Sequence, residues 1–284
     1  MSHADNAVPT RHIWLCADDY GIAPGVNSAI GDLLTRGRLN ATSVMVVAPS
    51  FNGADAGSLA ALHSGERRIA IGLHVTLTAP FKPLSRDYRP LRDGAFLPLG
   101  ATLRAALLRQ LDRERLAAEI AAQIEAFVGA FGRAPDFVDG HQHVQLFPQI
   151  REAFLSVVKE TAPNAWVRQC GRVLPLHRRV AEPKALLLDA LSHTFRRRAR
   201  AYGLRTNPAF GGAYDFRAQP DFAALFPTFL DGLPAESVVM CHPGIVDDEL
   251  TRRDPLTTQR EKEYAYFASD AFPAALAAKG VALA

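Results

Sequence analysis

The sequence of 284 residues lacks the features that define several large classes of protein. No uninterrupted apolar stretch approaches the roughly 18–20 residues that a membrane-spanning helix needs. The first residues, MSHADNAVPTRH, also lack the apolar core of a signal peptide. The three cysteines, Cys16, Cys170 and Cys241, are odd in number and form no C-x-x-C pair, which argues against a disulfide framework. We therefore expect a cytoplasmic protein with no integral membrane segment.

Neither sign of charge dominates the chain. Lys and Arg number 32 against 29 Asp and Glu, which leaves a net charge of +3. Nucleic-acid-binding proteins usually concentrate positive charge in a patch, and the one dense run here is Arg196-Arg197-Arg198 with Arg200. We interpret this run as a solvated helix face, with contact to an anionic surface or a lipid headgroup as the alternative. No nucleic-acid partner is predicted.

Short apolar runs alternate with longer helical patterns along the chain, which is typical of βαβ units and a parallel sheet. Seven or eight strand candidates fit a closed or nearly closed barrel better than an open five-stranded sheet. We predict a disordered N-terminal tail over residues 1–10 and a single (β/α)-barrel catalytic domain over residues 11–284. The strand candidates are Ile13–Ala17, Thr42–Ala48, Ile69–Leu77, Phe137–Val144, Ala165–Gln169, Leu204–Phe210, Ser237–Cys241 and Val281–Leu283.

Polar residues share one placement, at or just beyond the carboxyl ends of these strand candidates. In barrel enzymes the active site is built at the carboxyl ends of the strands, so four separate strands would deliver these side chains to one rim. The residues are Asp18 and Asp19 after the first strand, His74 in the third, Asp139, His141 and His143 in the fourth, and His242 after the seventh.

Several of these positions indicate a metal site, although each has a plainer interpretation. Asp139, His141 and His143 would share one face of a strand, an arrangement typical of metal ligands or of histidines hydrogen-bonded in the core. One carboxylate of the pair Asp18 and Asp19 could bind a metal while the other faces the substrate, or the pair could form a turn or helix cap. A buried histidine with a backbone partner is the alternative for His74 and His242. We assign the cysteines to the core and not to a thiolate site.

Four segments together resemble the YdjC-like carbohydrate deacetylases, the ChbG/HpnK family, in order and spacing. The resemblance implies a distorted (β/α) barrel of seven to eight mostly parallel strands, related to the NodB-type deacetylases. It implies a hydrolase that uses one divalent metal ion to remove the acetyl group from an N-acetylated sugar. The segments are Ala17-Asp18-Asp19-Tyr20-Gly21, Gly72-Leu73-His74-Val75-Thr76-Leu77-Thr78, the run from Asp139 to Pro148, and Cys241-His242-Pro243-Gly244.

The resemblance also implies roles for individual residues. Asp19, His74 and His141 would be the metal ligands, Asp18 the general base and His242 the general acid. The predicted substrate-binding residues are His143, Tyr20, Phe210 and Arg260. Departures from the family pattern, at Tyr20, Gln142, Gln145 and the segment 207–212, leave the choice of sugar open. Arg260 and Glu261 would orient the base through an ion pair or form a surface pair on a helix.

The expected substrate is an N-acetylglucosamine-containing mono- or oligosaccharide such as chitobiose, or a glycolipid, and the expected metal is Mg²⁺ or Zn²⁺. The proline-rich loop 79–100, with Phe81 and Tyr88, would cover a sugar ring or form the contact of a homodimer. Two rival classes remain open. One is a barrel metal hydrolase acting on a different amide or ester, and the other is a non-catalytic protein that binds sugar or metal.

Overall fold

The structure is a computed structural model that describes residues 10–65, 67–171 and 183–284. The predicted disordered tail, residues 1–10, lies outside these ranges except for Thr10. Within them, eight strands form one parallel sheet in the order β5-β4-β3-β2-β1-β7-β6, and β8 pairs with β1. The strands are β1 (Arg11–Tyr20), β2 (Ala41–Val44), β3 (Ala70–Val75), β4 (Phe137–Gly140), β5 (Trp166–Val167), β6 (Phe210–Gly211), β7 (Val238–Cys241) and β8 (Val281–Leu283).

Helices follow most of the strands, as the alternating sequence pattern predicts. Residues 99–131 form two helices and not one, because Asp112 caps a new helix with its side chain. The helices are α1 (Pro24–Thr35), α2 (Gly53–His63), α3 (Leu99–Leu107), α4 (Arg113–Phe131), α5 (Ile150–Thr161), α6 (Pro183–Ala201), α7 (Phe222–Phe229), α8 (Asp248–Arg253), α9 (Thr258–Ala268) and α10 (Ala271–Ala278).

The central strand β1 organises the sheet. Its residues from Ile13 onward are buried, which matches a near-continuous apolar run covered on both faces. Trp14 to Ala17 pair with Val238 to Cys241 on one side, and Cys16 and Ala17 pair with the start of β2 on the other. Strand β1 therefore ends between β2, which carries Ser43, and β7, which leads into His242.

A short segment spans the gap between the two ends of the sheet. The Val167 N–H donates to the carbonyl of Arg205 at 2.9 Å, and Val167 forms an isolated parallel bridge with Thr206. The Asn207 amide then bonds both the N–H and the carbonyl of Gln169, at 2.9 and 3.1 Å. The sheet curves into a nearly closed barrel, which confirms the predicted distorted barrel of seven to eight strands.

The long loop 79–100 is packed against the barrel. The Glu119 carboxylate in α4 accepts hydrogen bonds from the N–H groups of Leu84 and Ser85, at 3.2 and 2.7 Å. Phe81 meets the His141 ring edge-on, and Tyr88 packs on Phe96. Both aromatic side chains are buried, at 4% and 3% exposure. The loop therefore packs against the rim of the barrel next to His141. Cover of a sugar ring or a homodimer contact by this loop stays a prediction.

The arginine run lies on α6 with its side chains exposed, while Phe195 and Ala199 of the same helix face inward. The run therefore lies on an exposed helix face, and its contact with an anionic surface or a lipid headgroup stays a prediction. The three cysteines are buried and free, as expected of core residues. Over the described ranges, none of the helices combines the length and apolar character needed to cross a membrane.

Glycine at position 72 allows two strands to pack closely. A Cβ there would overlap the ring of Phe137, which is held in a stack on Trp166 with ring centroids 4.5 Å apart. We expect Gly72→Ala to lower the free energy of unfolding by about 1–3 kcal/mol, because the buried ring must be displaced. Gly57→Ala is the matched control, since that helical position is open and should gain up to about 1 kcal/mol. Urea denaturation of both variants checks the prediction, and equal effects would contradict it.

Candidate active site

The end of β1 brings two consecutive carboxylates into one site. Side chains normally alternate across a strand, but Asp19 adopts a left-handed conformation with φ 69°, and the pairing with β2 shifts between Ala17 and Tyr20. Aspartate is among the few residues that tolerate this conformation. Asp18 and Asp19 are both buried, whereas Tyr20 turns away and its hydroxyl donates to Asp55 at 3.4 Å.

Asp19, His74 and His141 meet at the carboxyl ends of β1, β3 and β4. Asp19 Oδ1 lies 2.9 Å from His141 Nδ1 and 3.3 Å from His74 Nε2. One donor atom from each side chain falls within 4.8 Å of the other two, and all three residues are buried. The structure therefore assembles the three residues predicted as metal ligands into one cluster.

The orientation of His74 is fixed from behind. Its Nδ1 lies 2.6 Å from Asp139 Oδ1 and 3.0 Å from the Ser43 hydroxyl. The short contact with a carboxylate requires a proton on Nδ1, so Nε2 is the ring nitrogen that faces Asp19 and that a cation could bind after losing its own proton. A carboxylate behind the ring is the usual support of a metal-binding histidine. Burial would lower the pKa of His74, but the charges of Asp139 and Asp18 raise it to about 10. The cluster thus favours positive charge at this position.

These residues fit a divalent cation. Two imidazole nitrogens and one carboxylate oxygen converge, a donor set that suits zinc or another first-row metal and leaves positions for water and substrate. A second buried group of side chains that could bind a metal consists of Cys16, Asp18 and Asp139. A guanidinium already supplies the positive charge for that second group, so we assign it no metal.

That guanidinium belongs to Arg168. It donates to both oxygens of Asp18, at 2.6 and 2.7 Å, and lies 3.0 Å from Asp139 Oδ2. Burial alone would raise the pKa of Asp18, but the charges of Arg168 and His74 hold it well below its usual range. Asp18 is therefore ionised at neutral pH. The fully buried Arg168 ties β1, β4 and the end of β5 together.

Arg260 holds the second oxygen of Asp19. Its Nη2 lies 2.6 Å from Asp19 Oδ2 and 2.7 Å from Asp254 Oδ2. The suggested pairing with the base is wrong, because Arg260 bonds Asp19 and not Asp18. A surface pair with Glu261 is wrong as well, because Arg260 is fully buried. Burial opposes ionisation of Asp19, but His141 and Arg260 lower its pKa well below the usual value.

His242 follows β7 and completes the rim. Its Nε2 lies 3.9 Å from Asp19 Oδ2, and the Phe216 ring meets the imidazole edge-on at 5.3 Å. Burial, opposed by the charge of Asp19, lowers the pKa of His242 to about 4. The imidazole is therefore neutral at pH 7. The backbone N–H of His242 donates to Glu263, whose pKa burial raises to about 7.

The predicted substrate-binding residues occupy different places. His143 and Phe210 pack edge-on with centroids 5.7 Å apart, and Phe210 lies 5.9 Å from the Arg168 guanidinium carbon. Burial and the charge of Arg168 lower the pKa of His143 to about 3. Tyr20 instead lines a cleft of about 670 Å³ between residues 20–32, 49–58 and 249–253. Substrate contact by Tyr20, His143, Phe210 and Arg260 stays a prediction.

One geometric expectation about the fourth strand is wrong. Strand β4 ends at Gly140, and Gln142 and His143 both adopt left-handed backbone conformations, with φ 55° and 59°. Asp139, His141 and His143 therefore do not share one strand face. The turn, and not strand alternation, directs His141 toward Asp19.

Residues 12–278 match the YdjC-like protein family. The chain belongs to the YdjC-like family. A chitooligosaccharide deacetylase of Salmonella schwarzengrund (strain CVM19633) is 30% identical over 269 residues, which cover 93% of each chain. A chitooligosaccharide deacetylase of Klebsiella pneumoniae subsp. pneumoniae is also 30% identical, over 81% of each chain.

Solved structures show the same fold in this YdjC-like chain and in more distant proteins. A putative cellobiose-phosphate cleavage protein from Enterococcus faecalis V583 superposes with a TM-score of 0.76 at 21% identity, covering 97% of each chain. The peptidoglycan N-acetylglucosamine deacetylase Bc1960 gives a TM-score of 0.50 at 11% identity, covering 96% of this chain and 85% of that one. The NodB-deacetylase-like barrel that the sequence predicts is confirmed.

Several residues of this YdjC-like site were missed by the sequence interpretation. Arg168, Ser43, Asp254 and Glu263 were not identified, and Asp139 was noted beside His141 and His143 but not as the support of His74. The same strand-end rule that found His74 would have found Arg168, since it directly follows the apolar pair Trp166-Val167. No comparable pattern marks Asp254 or Glu263, which lie beside or within a helix.

Removal of Arg168 tests the buried charge network. We expect Arg168→Met to lower the free energy of unfolding of the metal-free protein by about 3–5 kcal/mol, because Asp18 and Asp139 lose their shared cation. Arg168→Lys should retain more of the free energy of unfolding than Arg168→Met but less than the unchanged protein, since an ammonium cannot form the paired hydrogen bonds. Arg200→Met on the exposed face of α6 is the control and should stay within about 0.5 kcal/mol. A small effect of Arg168→Met in urea denaturation would contradict this account.

Proposed function

We propose that this YdjC-like chain is a metal-dependent hydrolase that removes the acetyl group from an N-acetylated sugar. The observation that carries the proposal is the ionised Asp18, held by Arg168, next to the cluster of Asp19, His74 and His141. Relatives named chitooligosaccharide deacetylase support the same chemistry. The substrate class is an N-acetylglucosamine-containing saccharide such as chitobiose, or a glycolipid. A cytoplasmic location and a homodimer belong to the proposal as well.

Asp19, His74 and His141 would hold one divalent cation, Mg²⁺ or Zn²⁺. When bound, the cation would polarise the acetamide carbonyl and lower the pKa of a water molecule. The protein prepares its own part of this site in advance. Asp139 fixes the His74 ring. Arg260 holds Asp19 Oδ2, the oxygen that His74 and His141 do not contact. Both ligands therefore keep their orientation without rearrangement.

Asp18 would accept the proton of the attacking water. Its low pKa keeps it ionised across the neutral range, and the paired hydrogen bonds from Arg168 fix the plane of its carboxylate. General base catalysis requires an acceptor in fixed geometry. Among the described residues, Asp18 Oδ2 accepts a hydrogen bond only from Arg168, so it keeps a lone pair for the water proton. Asp18 and Asp19 thus divide proton transfer and cation binding between adjacent residues.

His242 would protonate the leaving amine. It is neutral in the resting protein, because burial lowers its pKa to about 4. The acid role therefore requires that negative charge developing at the substrate raise this pKa, so that His242 takes up a proton from solvent and passes it to the leaving amine. Asp18 returns to solvent the proton that it accepted from the water, so the proton count balances. The position of His242, across Asp19 from the two histidine ligands, supports the assignment.

Asp18→Asn tests the base assignment. We expect acetate release from N,N′-diacetylchitobiose to fall by about 10²–10⁴-fold, because the amide cannot accept the proton. Bound metal should be unchanged, since Asp18 is not a proposed ligand. Asp32→Asn, a carboxylate on α1 that bonds Arg36, is the control and should retain full activity. Retained turnover by Asp18→Asn would rule out the base role.

His74→Ala tests the metal site without relying on turnover. We expect affinity for Zn²⁺ to fall by more than about 100-fold, and Asp139→Asn to weaken binding by about 10–100-fold, because Asp139 only supports the ligand. Elemental analysis after equilibrium dialysis measures both effects. His12→Ala, an exposed histidine, should bind as the unchanged protein does. Unaltered metal content in His74→Ala would remove it from the ligand set.

Product analysis separates the proposed function from its rivals. Acetate and a free amine in equal amounts identify N-deacetylation. Turnover that yields a different acid, or an alcohol, would identify another amide or ester hydrolase. A screen over N-acetylglucosamine, chitobiose and lipid-linked N-acetyl sugars with added metals that gives no product would favour a binding protein.

A further inference from the structure

A buried carboxylate that the proposed chemistry does not use lies behind the rim of the site. Glu263, on α9, is 1% exposed, and both of its oxygens are engaged. Oε1 accepts a hydrogen bond from the Tyr214 hydroxyl, and Oε2 accepts one from the His242 backbone N–H at 2.5 Å. The side chain therefore joins three segments: α9, the segment after β6 and the residue after β7.

The segment that Glu263 holds forms a wall against the imidazole of His242. Tyr214 packs on Phe216 with ring centroids 4.3 Å apart. Phe216 in turn meets His242 edge-on, with an interplanar angle of 88°. Anchoring the Tyr214 hydroxyl thus fixes Phe216, and Phe216 limits the rotation of the imidazole.

His242 needs this support because, among the described residues, none forms a hydrogen bond with its ring. Its Nδ1 is buried and has no hydrogen-bond partner among the residues that the structure describes. A catalytic histidine is commonly oriented by a carboxylate on that nitrogen. Here the Glu263 carboxylate instead bonds the backbone N–H of the histidine and the Tyr214 hydroxyl.

We propose that Glu263 is a positioning residue for His242, acting through the backbone N–H of His242 and through the Tyr214–Phe216 wall. The inference rests on the proposed function for the role of His242, but the geometry that it explains is independent of turnover. Glu263 is not itself a proton donor to substrate, because it is buried and both oxygens are occupied. Glu263 contributes by fixing the orientation of the His242 imidazole. Loss of the Glu263 carboxylate should therefore lower kcat more than it changes KM.

Three variants and one control test the proposal. Glu263→Leu removes both acceptors at similar volume, Tyr214→Phe removes one donor, and Glu263→Gln keeps the shape and can still accept from His242. Tyr266→Phe is the matched control, since Tyr266 lies in the same aromatic cluster and its hydroxyl has no partner within the described ranges. Each variant is measured for acetate release from N,N′-diacetylchitobiose, bound Zn²⁺ and the imidazole resonances of His242 in long-range ¹H–¹⁵N spectra.

Glu263→Leu should lower kcat by about 100-fold with KM within about 3-fold, leave bound metal unchanged and shift the His242 resonances. Tyr214→Phe should lower kcat by about 3–10-fold, and Glu263→Gln should recover most of the activity. Tyr266→Phe should match the unchanged protein in all three measurements. If Glu263→Leu does not fold, Tyr214→Phe and Glu263→Gln still decide the question through kcat and the His242 resonances.

Two outcomes would overturn the proposal. One is a set of His242 resonances that none of the Glu263 and Tyr214 variants alters. The other is a loss of metal in proportion to activity, which would make Glu263 a support of the whole site. If the unchanged protein releases no acetate, the proposed function fails, while the resonances still show whether Glu263 orients His242.

Discussion

The guanidinium of Arg168 is the interaction on which the rest of the site depends. Asp18 and Asp139 lie close together in the interior, where two uncompensated carboxylates would either cost several kcal/mol each or take up protons. Arg168 bonds both and keeps Asp18 ionised. Because Asp139 also holds His74, the same guanidinium indirectly supports a proposed metal ligand. One side chain thus links the proposed base to the proposed cation site.

The buried charges of the site do not cancel, and they set the protonation of the neighbouring imidazoles. Asp18, Asp19 and Asp139 carry three negative charges, and Arg168 and Arg260 supply two positive ones, which leaves one negative charge among these five groups. The excess lies with Asp18 and Asp139, which share the one guanidinium of Arg168, and their charges raise the pKa of His74. The pKa of His242 falls instead, because burial dominates there. Neighbouring imidazoles therefore differ in protonation because of their surroundings alone.

The sequence was sufficient to predict the barrel and the main cluster. Polar residues at the ends of apolar runs predicted Asp18, Asp19, His74, His141 and His242, because parallel strands end at one rim whatever their detailed register. The left-handed turns at Asp19 and at Gln142-His143 could not be predicted, since periodicity contains no information on single backbone dihedrals. The partners of Arg168, Arg260 and Glu263 were also inaccessible. Each pairs with a residue distant in sequence, and only the folded chain shows which charges meet.

The gap between β5 and β6, which residues 205–207 span, has a consequence for where the length of this chain can change. The strands that bear the clustered carboxylates and histidines lie within the continuous part of the sheet, whereas β5 and β6 meet only through residues 205–207. A change in the length of the connection between β5 and β6 would leave the register of the other strands intact. The barrel therefore combines a continuous set of strands, which carries the clustered carboxylates and histidines, with an edge that residues 205–207 close. Arg168, directly after β5, ties this edge to the cluster.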